Sequence, residues 1–130
     1  MLTGVSVLVV DDEADSRDVI AEILEDAGAS VQTASSVDEA LGWLDVATPN
    51  AIVSDIRMPL RDGYALIHEL RTEPRHHAQD VPVIAITAFD RNTDRRRALT
   101  SGFASHVSKT DAADLATIVR DALRPIAASP

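Results

Sequence analysis

An alternation along the chain leaves few folds open to it. Short continuous apolar runs are separated by stretches whose apolar residues recur at helical spacing. The runs mark the first, third, fourth and fifth strands at residues 5–10, 51–54, 83–86 and a shorter stretch around Val107, and residues 30–34 read as a second, short strand. Strands of a parallel sheet are buried on both faces, so they read as unbroken apolar runs. Polar residues close the runs: Asp11 and Asp12 the first, Asp55 the third, Thr87 the fourth and Lys109 the fifth. If the runs are parallel strands, these positions share one edge of one sheet. In open α/β sheets, ligands bind outside the carboxyl ends of the strands.

The stretches between the runs supply helices. Ile20, Ile23, Leu24 and Ala27 share one helical face, and Gly28 ends it as a C-terminal cap would. Val37, Ala40, Leu41 and Leu44 mark a second helix, with Ser35 or Ser36 as N-cap. Ala65, Leu66, Ile67 and Leu70 mark a third, ending before Pro74. A fourth is expected over residues 90–101, where only Ala98 and Leu99 offer apolar contact. Leu115, Ile118, Val119 and Ala122 form the face of the last, capped by Thr110 or Asp111. Residues 72–80 read as a polar loop carrying His76 and His77, with His68 solvated and Trp43 a packing residue.

The pattern is α/β: (βα)5 with a doubly wound five-stranded parallel sheet of order 2-1-3-4-5, the flavodoxin-like arrangement. One domain is expected over 1–130, with a core at 4–124 and a tail at 125–130. The switch point of that strand order lies between the first and third strands, which end at Asp11-Asp12 and at Asp55.

Composition narrows the function classes. A net charge of -9 argues against nonspecific binding to nucleic acid or anionic lipid. Without cysteine there is no disulfide framework and no zinc-thiolate site. The apolar runs fall far short of a membrane span, and the first residues lack the pattern of a signal peptide, so the expected setting is the cytoplasm. Lys109 is the only lysine among 12 basic residues. A compact ammonium on a flexible stem suits a point contact to a phosphoryl oxygen.

Adjacent carboxylates repel, so Asp11 and Asp12 need a reason to coexist. One reason is capping of a helix N-terminus by Asp12 or Glu13. The other is a cation, with Asp55 converging on the pair. Magnesium suits such a site, because it takes oxygen ligands and one or two direct carboxylates while keeping several waters. Asp55 beside a cation can act as a nucleophile toward phosphorus. Thr87 can donate to a phosphoryl oxygen, or be an ordinary β-branched strand residue.

The acidic pair, Asp55 with Met58-Pro59 and Gly63 after it, Thr87-Ala88 and Lys109 together make residues 4–124 resemble the receiver domain of two-component response regulators, related to the chemotaxis receiver. The resemblance implies that Asp55 is the phosphoacceptor. It implies a magnesium ion, replaceable by manganese, on Asp12 directly, on Asp11 through water, on Asp55 and on the backbone carbonyl of Arg57. Thr87 and Lys109 would bind phosphoryl oxygens. The donor would be a sensor histidine kinase or a histidine phosphotransfer protein. An output partner or a second receiver would meet the face of the fourth helix, fifth strand and fifth helix. Such a domain assists its own phosphorylation and dephosphorylation rather than turning over external substrates, binds no nucleic acid directly and does not enter a membrane. The stretch from Ile84 to Phe89, with Gly102 to His106, also resembles receivers on the carboxyl side of hybrid sensor kinases; a stand-alone receiver is the alternative.

Four positions qualify the resemblance. The family usually has proline after the site lysine, joined by a cis bond; here it is Thr110, for which a trans bond is expected. The family's rotating aromatic is His106 here, either a partly exposed strand residue or a smaller, titratable switch partner for Thr87. Arg57 and Phe89 stand where the family tunes loss of the phosphoryl group, and their bulk predicts a long-lived phosphoryl state. The arginines at 91, 95, 96 and 97 make a basic fourth helix, read either as a solvated face or as a loosely held element that shifts. Two rivals remain. A pseudo-receiver would bind partners without phosphorylation. A magnesium-dependent aspartyl phosphatase commonly has a second Asp two residues beyond the nucleophile, where this chain has Arg57.

Overall fold

The computed structural model describes residues 1–88 and 92–124. Five strands form one parallel sheet of order 2-1-3-4-5. They are β1 (Ser6–Val10), β2 (Ser30–Ala34), β3 (Ala51–Asp55), β4 (Val83–Thr87) and β5 (Ser105–Ser108). The helices are α1 (Ala14–Asp26), α2 (Val37–Leu44), α3 (Gly63–Thr72), α4 (Asn92–Thr100) and α5 (Leu115–Ala122). Two short 3-10 segments, Pro74–His76 and Lys109–Asp114, follow α3 and β5.

Side-chain alternation along the strands divides the core. Leu8, Val10, Ile52, Val83 and Ala85 face a layer with Val37, Ala40, Leu66, Ile67, Leu70 and Ala98 from α2, α3 and α4. Val7, Val9, Val53, Ile84, Ile86 and Val107 face Ile20, Leu24, Leu115 and Val119 from α1 and α5. Both faces of β1, β3 and β4 are therefore dry, which is why their sequences read as continuous apolar runs. Burying one such Leu or Ile stabilises by roughly 1.5–3 kcal/mol.

Local signals set several boundaries. Gly28 follows α1 at φ +105°, and a Cβ there would lie 3.0 Å from Thr3 Oγ1. Ser36 is the N-cap of α2, its side chain accepting from the Glu39 N–H at 3.1 Å. Such a cap contributes about 1 kcal/mol. Asp62 caps α3 in the same way through Ala65, at 2.9 Å.

Four expectations need correction. The last helix is not capped by Thr110 or Asp111: the chain first makes a 3-10 segment capped by Ser108, and α5 begins at Leu115 without a side-chain cap. His76 does not sit in an open polar loop; it ends the 3-10 segment Pro74–His76, is 3% exposed and hydrogen-bonds Glu69. Trp43 is 37% exposed, because the short α2 leaves it over the β2 edge of the sheet beside Val46 and Pro49. Leu99 is exposed on α4, whereas Ala98 is buried. His68 is solvent-exposed, as expected. Residues 90 and 91, expected in the fourth helix, and the tail at 125–130 lie outside the described residues.

Candidate phosphoacceptor and metal site

Parallel pairing of β1, β3, β4 and β5 brings their carboxyl ends to one edge. Asp11 and Asp12 follow β1, Asp55 ends β3, Thr87 ends β4 and Lys109 follows β5. One carboxylate oxygen from each of Asp11, Asp12 and Asp55 lies within 4.8 Å of the others. Asp11 and Asp55 are buried, whereas Asp12 faces solvent.

Each acid is held differently. Asp11 Oδ1 accepts from the Glu13 N–H at 2.9 Å. Its Oδ2 stands 3.0 Å from Lys109 Nζ, as an ion pair rather than a well-aligned hydrogen bond. Arg17 Nη1 donates to the Asp11 carbonyl at 2.9 Å and ties α1 to the end of β1. The capping alternative does not hold: Glu13 occupies the N-cap position of α1 but makes no side-chain cap bond. Its carboxylate accepts from Ser16 Oγ at 2.6 Å instead.

Asp55 Oδ1 accepts from the Arg57 N–H at 3.2 Å, and Oδ2 accepts from Lys109 Nζ at 3.1 Å. Burial raises the Asp55 pKa, and the Asp11 charge raises it further against the opposing pull of Lys109. Burial alone would lower the Lys109 pKa, but the attraction of Asp11 and Asp55 outweighs it and the net direction is up. Lys109 also donates to Ser16 Oγ at 3.2 Å. The ammonium thus reaches two carboxylates and one hydroxyl, hydrogen-bonding Asp55 and Ser16 and pairing by charge with Asp11.

The departures from the family pattern land as follows. No peptide bond among the described residues is cis, so Lys109-Thr110 is trans as expected, and Lys109 still reaches both acids. His106 is 6% exposed rather than partly exposed. In register it pairs with Ala85, and Thr87 pairs with Ser108, so Thr87 and His106 lie on the same sheet face two positions apart. The Arg57 side chain is exposed, and a cleft of about 250 Å³ is lined by Ile56, Arg57, Asp62, Tyr64, Thr87 and residues of α4. Arg97 lies over the Tyr64 ring at 3.9 Å, and Tyr64 meets Phe103 edge-on at 5.9 Å. Phe89 and Arg91 lie outside the described residues.

Ser16 and Ser108 were invisible to motif reading. Nothing in the spacing marks Ser16, one helical turn into α1, as a partner of a lysine 93 residues away.

The sequence model of the response regulator receiver domain matches residues 7–120. The chain belongs to this family. This receiver is 43% identical, over 83% of its length, to a 14.6 kDa protein of Leptolyngbya boryana, covering 81% of that protein. It is 32% identical to hybrid signal transduction histidine kinase D of Dictyostelium discoideum over 84% of its own length, yet spans only 7% of that kinase. Its fold superposes with a TM-score of 0.80 on the receiver domain of the histidine kinase CKI1 from Arabidopsis thaliana, solved with Mg2+ and BeF3-, at 29% identity, covering 93% of this chain and 91% of that one. The chain is therefore a receiver domain of two-component signalling with an acidic pocket. Receivers interact with histidine kinases or phosphotransfer proteins and with output domains. No helix among the described residues is long and apolar enough to cross a membrane.

Proposed function

We propose that this receiver is a magnesium-dependent phosphoacceptor switch and that Asp55 takes a phosphoryl group from a phosphohistidine donor. The observation that carries the reading is the approach of three carboxylates within 4.8 Å, with one ammonium 3.1 Å from Asp55. Three negative charges beside one positive charge favour a further cation, and an all-oxygen donor set suits magnesium or manganese. Asp12, Asp55, the backbone carbonyl of Arg57 and, through water, Asp11 would hold it. When bound, the ion neutralises charge between the carboxylate and the incoming phosphoryl group.

The residues of the chain supply the rest. An Asp55 oxygen attacks phosphorus as the bond to the donor imidazole nitrogen breaks. The imidazole leaves with the electron pair and takes up a proton. Lys109 turns from Asp55 to the new phosphoryl oxygens, and Thr87 donates to another. Movement of Thr87 is passed to His106 on the same sheet face and to the surface made by α4, β5 and α5, which selects the output partner or a second receiver. Catalysis of this kind is positioning and charge neutralisation. The hybrid kinase of Dictyostelium among the relatives supports a place in a hybrid kinase, and the 14.6 kDa protein of Leptolyngbya, of which this chain covers 81%, supports the stand-alone alternative.

Intact-mass analysis after incubation with acetyl phosphate and magnesium tests the reading. A single phosphoryl adduct, lost in Asp55→Asn and without magnesium, is expected. Absence of the adduct with a phosphohistidine donor as well would turn the assignment to a pseudo-receiver.

A further inference from the structure

Lys109 is flanked by a pair of hydroxyls. Ser108 Oγ lies 2.9 Å from Thr110 Oγ1 and accepts from the Thr110 N–H at 3.3 Å. The residues on either side of the lysine are thus clipped together across it. The other serine cap in the fold, Ser36, makes only a single bond to the Glu39 N–H, three residues on. Ser108 is 6% exposed and anchors the pair, while Thr110 is exposed and turns both its N–H and its hydroxyl to it. Lys109 opens the 3-10 segment Lys109–Asp114, in which only Asp111 departs from helical dihedral angles.

We propose that Ser108 and Thr110 act as positioning residues, a hydroxyl clamp that aims the Lys109 ammonium at Asp55. The inference rests on the proposed phosphoacceptor function and adds to it. The clamp fixes the two peptide planes around Lys109 and therefore the direction in which its side chain leaves β5. From that origin, Nζ reaches Asp55 Oδ2 at 3.1 Å and Asp11 Oδ2 at 3.0 Å. Proline in place of Thr110 would remove both the N–H and the hydroxyl that meet Ser108. It would also disfavour helical dihedral angles at Lys109, because the proline ring crowds the residue before it. In this chain the family's usual proline is therefore incompatible with the turn that aims the lysine.

The test compares Thr110→Val, which removes the hydroxyl while keeping shape, Thr110→Ser, which restores it, and Thr110→Pro. Phosphorylation by acetyl phosphate is timed by intact mass, and magnesium affinity is measured by isothermal titration calorimetry. Misplacing a catalytic group by about 1 Å costs on the order of 100-fold, and losing one of two clamp bonds is a partial displacement. Thr110→Val is expected about tenfold slower, Thr110→Ser within about twofold of the parent, and Thr110→Pro at least as slow as Thr110→Val. Magnesium affinity should stay within about twofold in Thr110→Val and Thr110→Ser. Parent-like rates in Thr110→Val, or a rate gain in Thr110→Pro, overturn the clamp.

A second readout works even if the parent accepts no phosphoryl group, the result that would sink the proposed function instead. Because Lys109 is the only lysine, 13C-lysine labelling gives one side-chain Cε signal. In the parent, Asp55→Asn should shift that signal, and in a Thr110→Val background the response should be clearly smaller. An unchanged response in the Val background overturns the clamp.

Discussion

Lys109 Nζ stands 3.1 Å from Asp55 Oδ2 although 54 residues separate the two in the chain. The same ammonium stands 3.0 Å from Asp11 Oδ2. One cation therefore serves two buried carboxylates, and the site is under-neutralised before any metal binds. The arrangement suits binding of a divalent ion and costs stability in the metal-free protein.

Replacing Asp55 by Asn should make the metal-free protein more stable at pH 7. Burial, then the Asp11 charge, holds the Asp55 pKa above 3.8. A carboxyl whose pKa is raised by folding binds more protons folded than unfolded, so stability falls as pH rises from about 3.8 through the folded value. An amide does not titrate and escapes that loss. Thermal unfolding without divalent ions should show a melting temperature a few degrees higher for Asp55→Asn, with the gap closing as pH falls below 3.8. A lower melting temperature at pH 7 would contradict the account.

Asp12 allows metal binding to be separated from folding. Its side chain is exposed, so Asp12→Asn should leave the metal-free melting temperature nearly unchanged. Magnesium at about 100 times its dissociation constant should stabilise the parent by about 2.7 kcal/mol. That shift should largely vanish in Asp12→Asn. An equal magnesium-induced shift in both proteins would remove Asp12 from the ligand set.

Much of the fold and the acidic part of the site was legible because both follow from patterns local in sequence. β1, β3, β4 and β5 lie where apolar runs end in Asp, Thr or Lys, and Ser36 and Gly28 mark helix ends by their own chemistry. What escaped depends on how helices pack. His76 read as part of a polar loop because its neighbours in sequence are polar, but it is buried, and its partners are Glu69 on α3 and Asp45 after α2. Ser16 meets Lys109 only once α1 lies against the end of β5. Trp43 read as a packing residue, but α2 ends a residue later, at the edge of the sheet, and leaves the ring 37% exposed.

Gly63 is required by close approach rather than by dihedral angle. A Cβ at this position would lie 2.7 Å from the Asp55 carbonyl oxygen and 2.9 Å from Ile56 Cα. Neither is the end of a flexible side chain, so backbone must move. Gly63→Ala should destabilise by roughly 1–3 kcal/mol. Because the clash falls on Asp55 itself, phosphorylation should slow even at temperatures where the variant is fully folded. Parent-like stability and rate together would show that the loop yields freely.

Glu69 gathers a polar network in the groove between α2 and α3, away from the acidic site. It receives His76 Nε2 at 2.7 Å and Arg61 Nη2 at 2.8 Å, and Arg61 continues to Asp38 on α2 at 2.9 Å. The His76 hydrogen bond, then that of Arg61, holds the Glu69 pKa below 4.5. A carboxylate depressed by folding contributes stability that is present above about 4.5 and is lost as pH falls through the folded value. Glu69→Gln should therefore lower the melting temperature at pH 7, and the difference from the parent should shrink steadily below pH 4.5. The parent and Asp38→Asn should differ much less, since Asp38 is exposed and its pairing with Arg61 is screened by solvent. If the Glu69→Gln difference persisted unchanged at pH 3, packing in the groove rather than the carboxylate charge would hold His76 in place.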